Sequence, residues 1–479
     1  MHFDLDPQQR SCILELVIKN LECFYSSTKS YRTNPDLNEE KIRGFLLDKE
    51  LVDGVELENA IHHVLQGLEA FSVHTPHPRY FGLFNPRSNF AGIIADLITA
   101  TYNPQLAAWS HAPFAVEVEA MLIKEFANKF GYVDDADGVF TTGGAEANLT
   151  ALLCALNFKY PDFAKDGIFG LDKKPVIFCS AEAHHSIQKA AKVVGLGYQS
   201  VRAIPVTDDL KLDTQILQQE LSRLDMSIYS PLMVIGTAGT TGTGAIDNLN
   251  ALSEISKKHN LWFHVDAAYG GGAVLSKDLS QLLSGIENSN SITFDAHKWM
   301  SVPMGASIFL TTAKDILSKT FRITTEYMPK EADHLTVVEP YTHSIQWSRR
   351  FIGLKIYLSL LFYGWNGYEQ TINHQTKMGK LLKHQLLQNG WDIKNDTDLP
   401  VVCFTKAEFT KDANFTSAIL SKILANGRSW LSAYHINGMP TLRACITNYS
   451  TTADDITELI DELNKEVDLY ERQQDISIQ

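Results

Sequence analysis

Apolar residues recur at helical spacing through the first 75 positions. Cys12-Ile13, Leu16-Val17 and Leu21-Phe24 fall on one stripe, and Leu57, Ile61, Val64, Leu65, Leu68 and Phe71 fall on a second. The stretch "HTPHPRYFGLFNPRSNF" then breaks the pattern with three prolines, Pro76, Pro78 and Pro86. From there to about residue 350 the period changes. Short apolar runs bounded by turn residues ("VIFCS", "PLMVIG", "LWFHVD", "SITFD" and "ASIFLT") alternate with helical ones. Such alternation predicts a mainly parallel sheet with helices on both faces. The last zone holds a strand-like "PVVCFT" and a helix through Phe415, Ile419, Leu420, Ile423 and Leu424 that stops at Gly427. It closes with a strand-like "TLRACIT" and a helix opened by Thr452 with Asp455 three residues on. The reading is therefore three zones. Residues 1–75 form a helical segment, 76–350 a large α/β domain, and 351–479 a small α+β domain.

Composition narrows the partners. The 479 residues carry 42 basic and 56 acidic side chains, a formal charge of −14, which disfavours nucleic acid and anionic membrane. The longest apolar runs, such as "LSLLF" near Leu358, are too short to span a bilayer. The start "MHFDLDPQQR" has acids where a secretory signal has basic residues. Six cysteines form no C-x-x-C pair, so reduced thiols and a cytoplasmic location are expected, with no metal site.

Four strand ends carry unusual residue types, and in open α/β sheets ligands sit beyond such ends. In "GVFTTGGAEANLTALLCAL" a strand runs through Gly143, Gly144 and Ala145 straight into an apolar helix, which suits a phosphate or a plain strand-to-helix turn. In "LWFHVDAAYGGG" Asp266 ends a strand of large apolar residues, and Ala267, Ala268 and Gly270–Gly272 leave room for a flat ligand; a capping aspartate is the simpler alternative. In "CSAEAHHSIQKAA" His184 is placed to lie over an aromatic ligand or merely to open a helix. In "SITFDAHKWMSVPMG" Lys298 is a candidate nucleophilic amine, against the commoner fate of a lysine reaching solvent. Together these four are what pyridoxal phosphate needs: a helix N-terminus for phosphate, a planar side chain for the ring face, a carboxylate for the pyridine nitrogen and a lysine for the aldehyde.

With "HVDAAYGGG" and "DAHKW" the sequence resembles the group II pyridoxal-phosphate-dependent amino acid decarboxylases, which include aromatic-amino-acid, glutamate, cysteine-sulfinate and diaminobutyrate decarboxylases. "GTAGTTGTGAID" and "SRRFIGLK" match in order, and the likeness runs from "HPRYF" to "TLRACITNYSTT". The resemblance implies a type I aminotransferase-like fold, pyridoxal 5'-phosphate as cofactor, decarboxylation of an L-amino acid through a Schiff base on Lys298, and a homodimer with residues 1–75 wrapping the partner. It also implies a role for each matching residue. Asp266 would pair with the pyridine nitrogen, Ala268 pack on the ring and His184 stack on its other face. Gly144 and Ala145 would bind the phosphate, with His297 nearby. Thr241 would lie by the ring substituents, and Arg443 would take the substrate carboxylate. Asn85, Arg87, Phe81 and Phe84 would line the side-chain pocket, and Tyr341, or in reserve Tyr327, would be the general acid. Two positions depart from many relatives: Asp295-Ala296 stands for Asn-Pro, as in the diaminobutyrate-type branch, and Ala145 stands for serine. Aldehyde-forming oxidative deamination on the same scaffold and non-catalytic cofactor binding remain the alternatives. In relatives the former goes with loss of the stacking histidine or the loop tyrosine.

Overall fold

The structure, a computed structural model, describes residues 3–478 except 49, 50, 134, 135, 324–334 and 336. Tyr327 lies outside the described residues. The predicted apolar runs are strands. β1 (Asp137–Thr141), β2 (Lys174–Ser180), β3 (Val201–Ile204), β4 (Tyr229–Thr237), β5 (Trp262–Asp266), β6 (Ser291–Asp295) and β7 (Ser307–Thr311) make one seven-stranded sheet. Its order is β1-β7-β6-β5-β4-β2-β3. Only β7 runs against its neighbours, β1 and β6; the other pairs are parallel.

The runs lack a polar alternation because both faces of the sheet are covered. Val176 and Phe178 of β2 and Val234 of β4 point into a core shared with Phe126 of the helix Pro113–Lys129 and with Phe130, which caps it. Ile177, Met233 and Ile235 point the other way, onto Ala147, Ala151 and Ala155 of the helix Gly144–Lys159 and Ile187 and Ala190 of the helix Ser186–Val193. The small residues on Gly144–Lys159 let it lie close against the sheet, which carries its N-terminus to the strand ends.

A second, antiparallel sheet of β8 (Asp392–Ile393), β9 (Val401–Thr405), β10 (Ser432–Ile436) and β11 (Met439–Cys445) has the order β10-β11-β9-β8. It packs through Phe404 and Leu442 on the helices Phe415–Asn426 and Ala453–Ile478. Gly427 ends the first of these with φ +67°, a left-handed cap that glycine adopts without strain. Thr452 and Asp455 open the second reciprocally: Thr452 N donates to Asp455 Oδ2 at 2.8 Å and Asp455 N to Thr452 Oγ1 at 3.4 Å.

The long helix Gly353–Gln388 joins the two sheets. It breaks at Gly364 (φ 62°, ψ 175°), with Ile356 before the break in the large core and Met378, Leu382 and Leu386 after it in the small one. Its start is held by a buried pair: Arg349 Nη1 lies 2.6 Å from Glu119 Oε2, and Gly353 N donates to Glu119 Oε1 at 2.9 Å. Burial pushes the Glu119 carboxyl pKa up, and the Arg349 guanidinium opposes it. The matched "SRRFIGLK" stretch is thus a structural anchor.

The first helices, Pro7–Ser27, Glu39–Leu47 and Leu57–Phe71, bury no residue fully. Leu14, Ile18, Val64 and Leu68 stand exposed on them. Among the described residues no helix is long and apolar enough to cross a membrane.

Candidate active site

The parallel strands end side by side, so their last residues share one rim. Thr237 of β4 pairs in register with Asp266 of β5, and Asp266 with Thr293 of β6. Beyond this rim lies a cavity of about 280 Å³. Seven of the residues read from the sequence line it: Gly144, Ala145, His184, Thr241, Asp266, Ala268 and Lys298. Gly143, Asn148, Thr237, Gly239, Tyr269 and Asp295 complete the wall. A larger groove of about 660 Å³ elsewhere is lined by Asp209, Asp213, Asp396 and Asp398 among others, and holds none of these strand-end groups.

Lys298 sits on the short helix Ala296–Trp299 directly after β6. Its Nζ lies 3.0 Å from Asp295 Oδ2, and the side chain is 21% exposed. The lysine therefore faces the cavity rather than bulk solvent. Asp295 is buried, and among the described residues its Oδ1 has no hydrogen-bond partner. His297 approaches the same carboxylate from behind, with Nε2 at 3.7 Å, while its Nδ1 lies 2.9 Å from Ala306 O. Burial lowers the His297 pKa, and Asp295 opposes that shift. His297 is not part of the cavity wall.

Asp266 is held from two sides. Asn148 Nδ2 donates to its Oδ2 at 2.9 Å, and Ala268 N to its Oδ1 at 3.2 Å. His184 enters from the loop after β2, its Nδ1 accepting from Ser186 N at 3.2 Å. Burial lowers the His184 pKa, Asp266 opposes this and Lys298 reinforces it, which favours a neutral ring. Gly143 is extended, and the helix Gly144–Lys159 begins at the cavity, so the first N–H groups of that helix face it. A Cβ on Gly144 would meet Asp295 Oδ2 at 3.0 Å and Ala268 Cβ at 3.3 Å, so glycine keeps this cradle open.

The other expectations are met only in part. Of the proline-rich stretch, Phe84 reaches Lys298, whose Nζ is 5.6 Å from the ring centroid. Arg443 approaches the same ring at 5.1 Å. Arg443 gives Nε to Gly242 O at 3.0 Å and Nη1 to Gly82 O at 2.8 Å, while its buried Nη2 has no partner among the described residues. Asn85 instead accepts from the Tyr80 hydroxyl at 3.0 Å, Arg87 lies over the Tyr25 ring at 3.6 Å, and Phe81 is buried in the small-domain core. None of these three lines the cavity. Tyr341 also lies off the wall, on the turn Pro340–Thr342, its ring 5.1 Å from Trp347.

Sequence reasoning missed Asn148, Thr237 and the place of Asp295. The signal for Asn148 was its spacing, four residues after Gly144 and so on the same helix face, in an otherwise apolar helix. Asp295 ends its strand as Asp266 does.

A primary amine, a buried carboxylate, an imidazole and a helix start around one cavity fit a phosphorylated heteroaromatic aldehyde. Thr237 Oγ1 and Asp295 Oδ1 on the wall have no partner among the described residues and are groups that a polar ligand would satisfy. Comparison with known proteins agrees. The family model described as "Pyridoxal-dependent decarboxylase conserved domain" matches residues 40–407. The aromatic-L-amino-acid decarboxylase of Bacillus atrophaeus is 27% identical over 457 residues, 93% of this chain and 92% of that one. The acidic amino acid decarboxylase GADL1 of Mus musculus is 27% identical over 435 residues, 88% of this chain and 79% of that one. The solved structure of Oryza sativa TDC with PLP and tryptamine superposes with a TM-score of 0.91 at 21% identity, covering 97% of this chain and 99% of the other.

Proposed function

The chain belongs to the pyridoxal-dependent decarboxylase family, and from that premise we propose that it converts an L-amino acid to its amine and CO2 at the Lys298 cavity. The observation that carries the reading is that Lys298, Asp266, His184 and the Gly144 helix start wall a single cavity. Bound there, pyridoxal 5'-phosphate supplies an aldehyde that condenses with amines and a ring that accepts the electron pair left as CO2 departs.

The chain's own groups supply the rest. Lys298 Nζ is the amine that would hold the aldehyde. Asp266 would keep the ring nitrogen's proton in place. His184 and Ala268, both on the wall, would pack against the ring. The N–H groups of Gly144 and Ala145 would hold the phosphate, with His297 steadying Asp295, and Thr241 would close the wall near the substituents. Arg443 has one donor, Nη2, left for the substrate carboxylate. Tyr341, which lies off the wall in its own chain, would return a proton to Cα.

The proposal includes a homodimer. The exposed apolar faces of the first three helices, with Phe114 and Phe362 also exposed, support it. Sedimentation equilibrium is expected to give twice the chain mass; an active monomer would remove this part of the reading.

The activity is tested by incubating the cofactor-loaded chain with the common L-amino acids, cysteine sulfinate and 2,4-diaminobutyrate. Amine and CO2 are expected in equal amounts for one side-chain class, without peroxide. Aldehyde with ammonia and peroxide would replace decarboxylation by oxidative deamination.

A further inference from the structure

Behind the cavity, polar side chains run in a line through the apolar sheet. Trp262 Nε1 lies 2.8 Å from Ser291 Oγ, and Ser291 Oγ lies 2.8 Å from His264 Nδ1. His264 Nε2 lies 3.0 Å from Asn148 Oδ1, and Asn148 Nδ2 lies 2.9 Å from Asp266 Oδ2. Ser291, His264 and Asn148 are all buried, and His264 is wholly so. Polar groups in such a place are retained only when each is satisfied.

The direction of each bond follows from the carboxylate end. A carboxylate only accepts, so Asn148 must turn its amide nitrogen to Asp266 and its oxygen to His264. That oxygen also accepts from Thr293 Oγ1 at 2.9 Å. His264 must then carry its proton on Nε2. Burial lowers the His264 pKa to about 4, against smaller opposing contributions from Asp266 and a Ser291 backbone hydrogen bond, which favours a neutral ring with the Nε2 proton and a bare Nδ1. Ser291 must donate to Nδ1, and it can then accept from Trp262, whose N–H only donates. The second Asn148 N–H goes to Ser186 Oγ at 2.9 Å, and Ser186 N donates to His184 Nδ1. One amide therefore fixes groups at two sides of the cavity.

We propose that Trp262, Ser291, His264 and Asn148 form a one-way hydrogen-bond relay whose task is to hold the Asp266 carboxylate aimed at the cofactor's ring nitrogen, so that it keeps that nitrogen protonated. Donors directed at a carboxylate favour its charged form, and bonds in series polarise one another. These are positioning residues, and the inference rests on the role proposed above for Asp266.

The test uses the full chain stripped of cofactor and titrated with pyridoxal 5'-phosphate, following fluorescence for affinity and the visible bands for the state of the bound ring. Asn148→Leu and His264→Leu are expected to weaken binding about tenfold to a hundredfold, the effect of losing a charge-assisted hydrogen bond, and to shift the bands. His264→Gln, which still offers an N–H to Asn148, is expected to stay within about threefold of the parent. A glutamine variant as impaired as the leucine variant would overturn the relay. Asp266→Asn is run in parallel. If it leaves affinity and bands unchanged, the role of Asp266 itself is wrong. If it changes both while the two leucine variants do not, the relay is wrong and Asp266 stands. For any variant that does not fold, nitrogen-15 spectra of histidine-labelled parent protein decide. They are expected to show His264 neutral with its proton on Nε2, and an Nδ1–H or charged ring would overturn the inference.

Discussion

Lys298→Ala is expected to lower amine formation by at least about 10⁴-fold and to leave no bound chromophore after gel filtration, the scale seen when a covalent catalytic group is removed. Among the described residues no other lysine lines the cavity. The substitution has a second consequence. Asp295 is buried, and Lys298 is the cation 3.0 Å from it, so alanine leaves that charge uncompensated. Breaking a buried pair costs about 3–5 kcal/mol, which alone could lower activity through unfolding. Lys298→Arg separates the two effects. Arginine keeps the cation beside Asp295 and should keep the melting temperature near that of the parent. A guanidinium is not a nucleophile at neutral pH, so the activity should be lost as fully as in the alanine variant.

Asp266→Asn is expected to cost about 10³-fold in kcat at saturating cofactor, the scale of removing one preorganised electrostatic contact in a buried site. The fall should appear in kcat, because the carboxylate matters most when charge flows into the ring; a change confined to KM would contradict the role. The side chain nearly preserves shape, so the loss would report charge and not packing. The asparagine must also meet Asn148, whose N–H now points at this position. The new amide has one acceptor oxygen for the two N–H groups that Asp266 accepts, from Asn148 and from Ala268, so one of these bonds is lost at a cost of about 1–3 kcal/mol. Circular dichroism should match the parent while the melting temperature falls, and kcat is read below that temperature.

The legibility of this chain follows the physics of burial. β2, β4, β5, β6 and β7 were readable because a strand covered on both faces is an unbroken apolar run. β3, Val201–Ile204, was not: it is a four-residue edge strand with Arg202 and Ala203 outside the core, so it carries no run. β8 has two residues and no pattern at all. At the site, Lys298, Asp266 and Gly144 stood out because a charge or a glycine pair interrupts an apolar strand end. Asn148, His264 and Ser291 are polar too, but each lies inside an apolar element, where only its partners in space give it meaning. The stretch around Asn85 and Arg87 shows the opposite failure. Its residue types suited a pocket, but Tyr80 and Tyr25 claim these side chains, and that is a matter of tertiary contact.

The central claim is that one amine, Lys298 Nζ, carries the cofactor. Reduction of the loaded protein with borohydride, proteolysis and peptide mass spectrometry tests this directly. A single phosphopyridoxyl group is expected on the peptide holding Lys298, with bleaching of the yellow colour in equal measure. A label on any other lysine, or a colour that survives reduction, would contradict it.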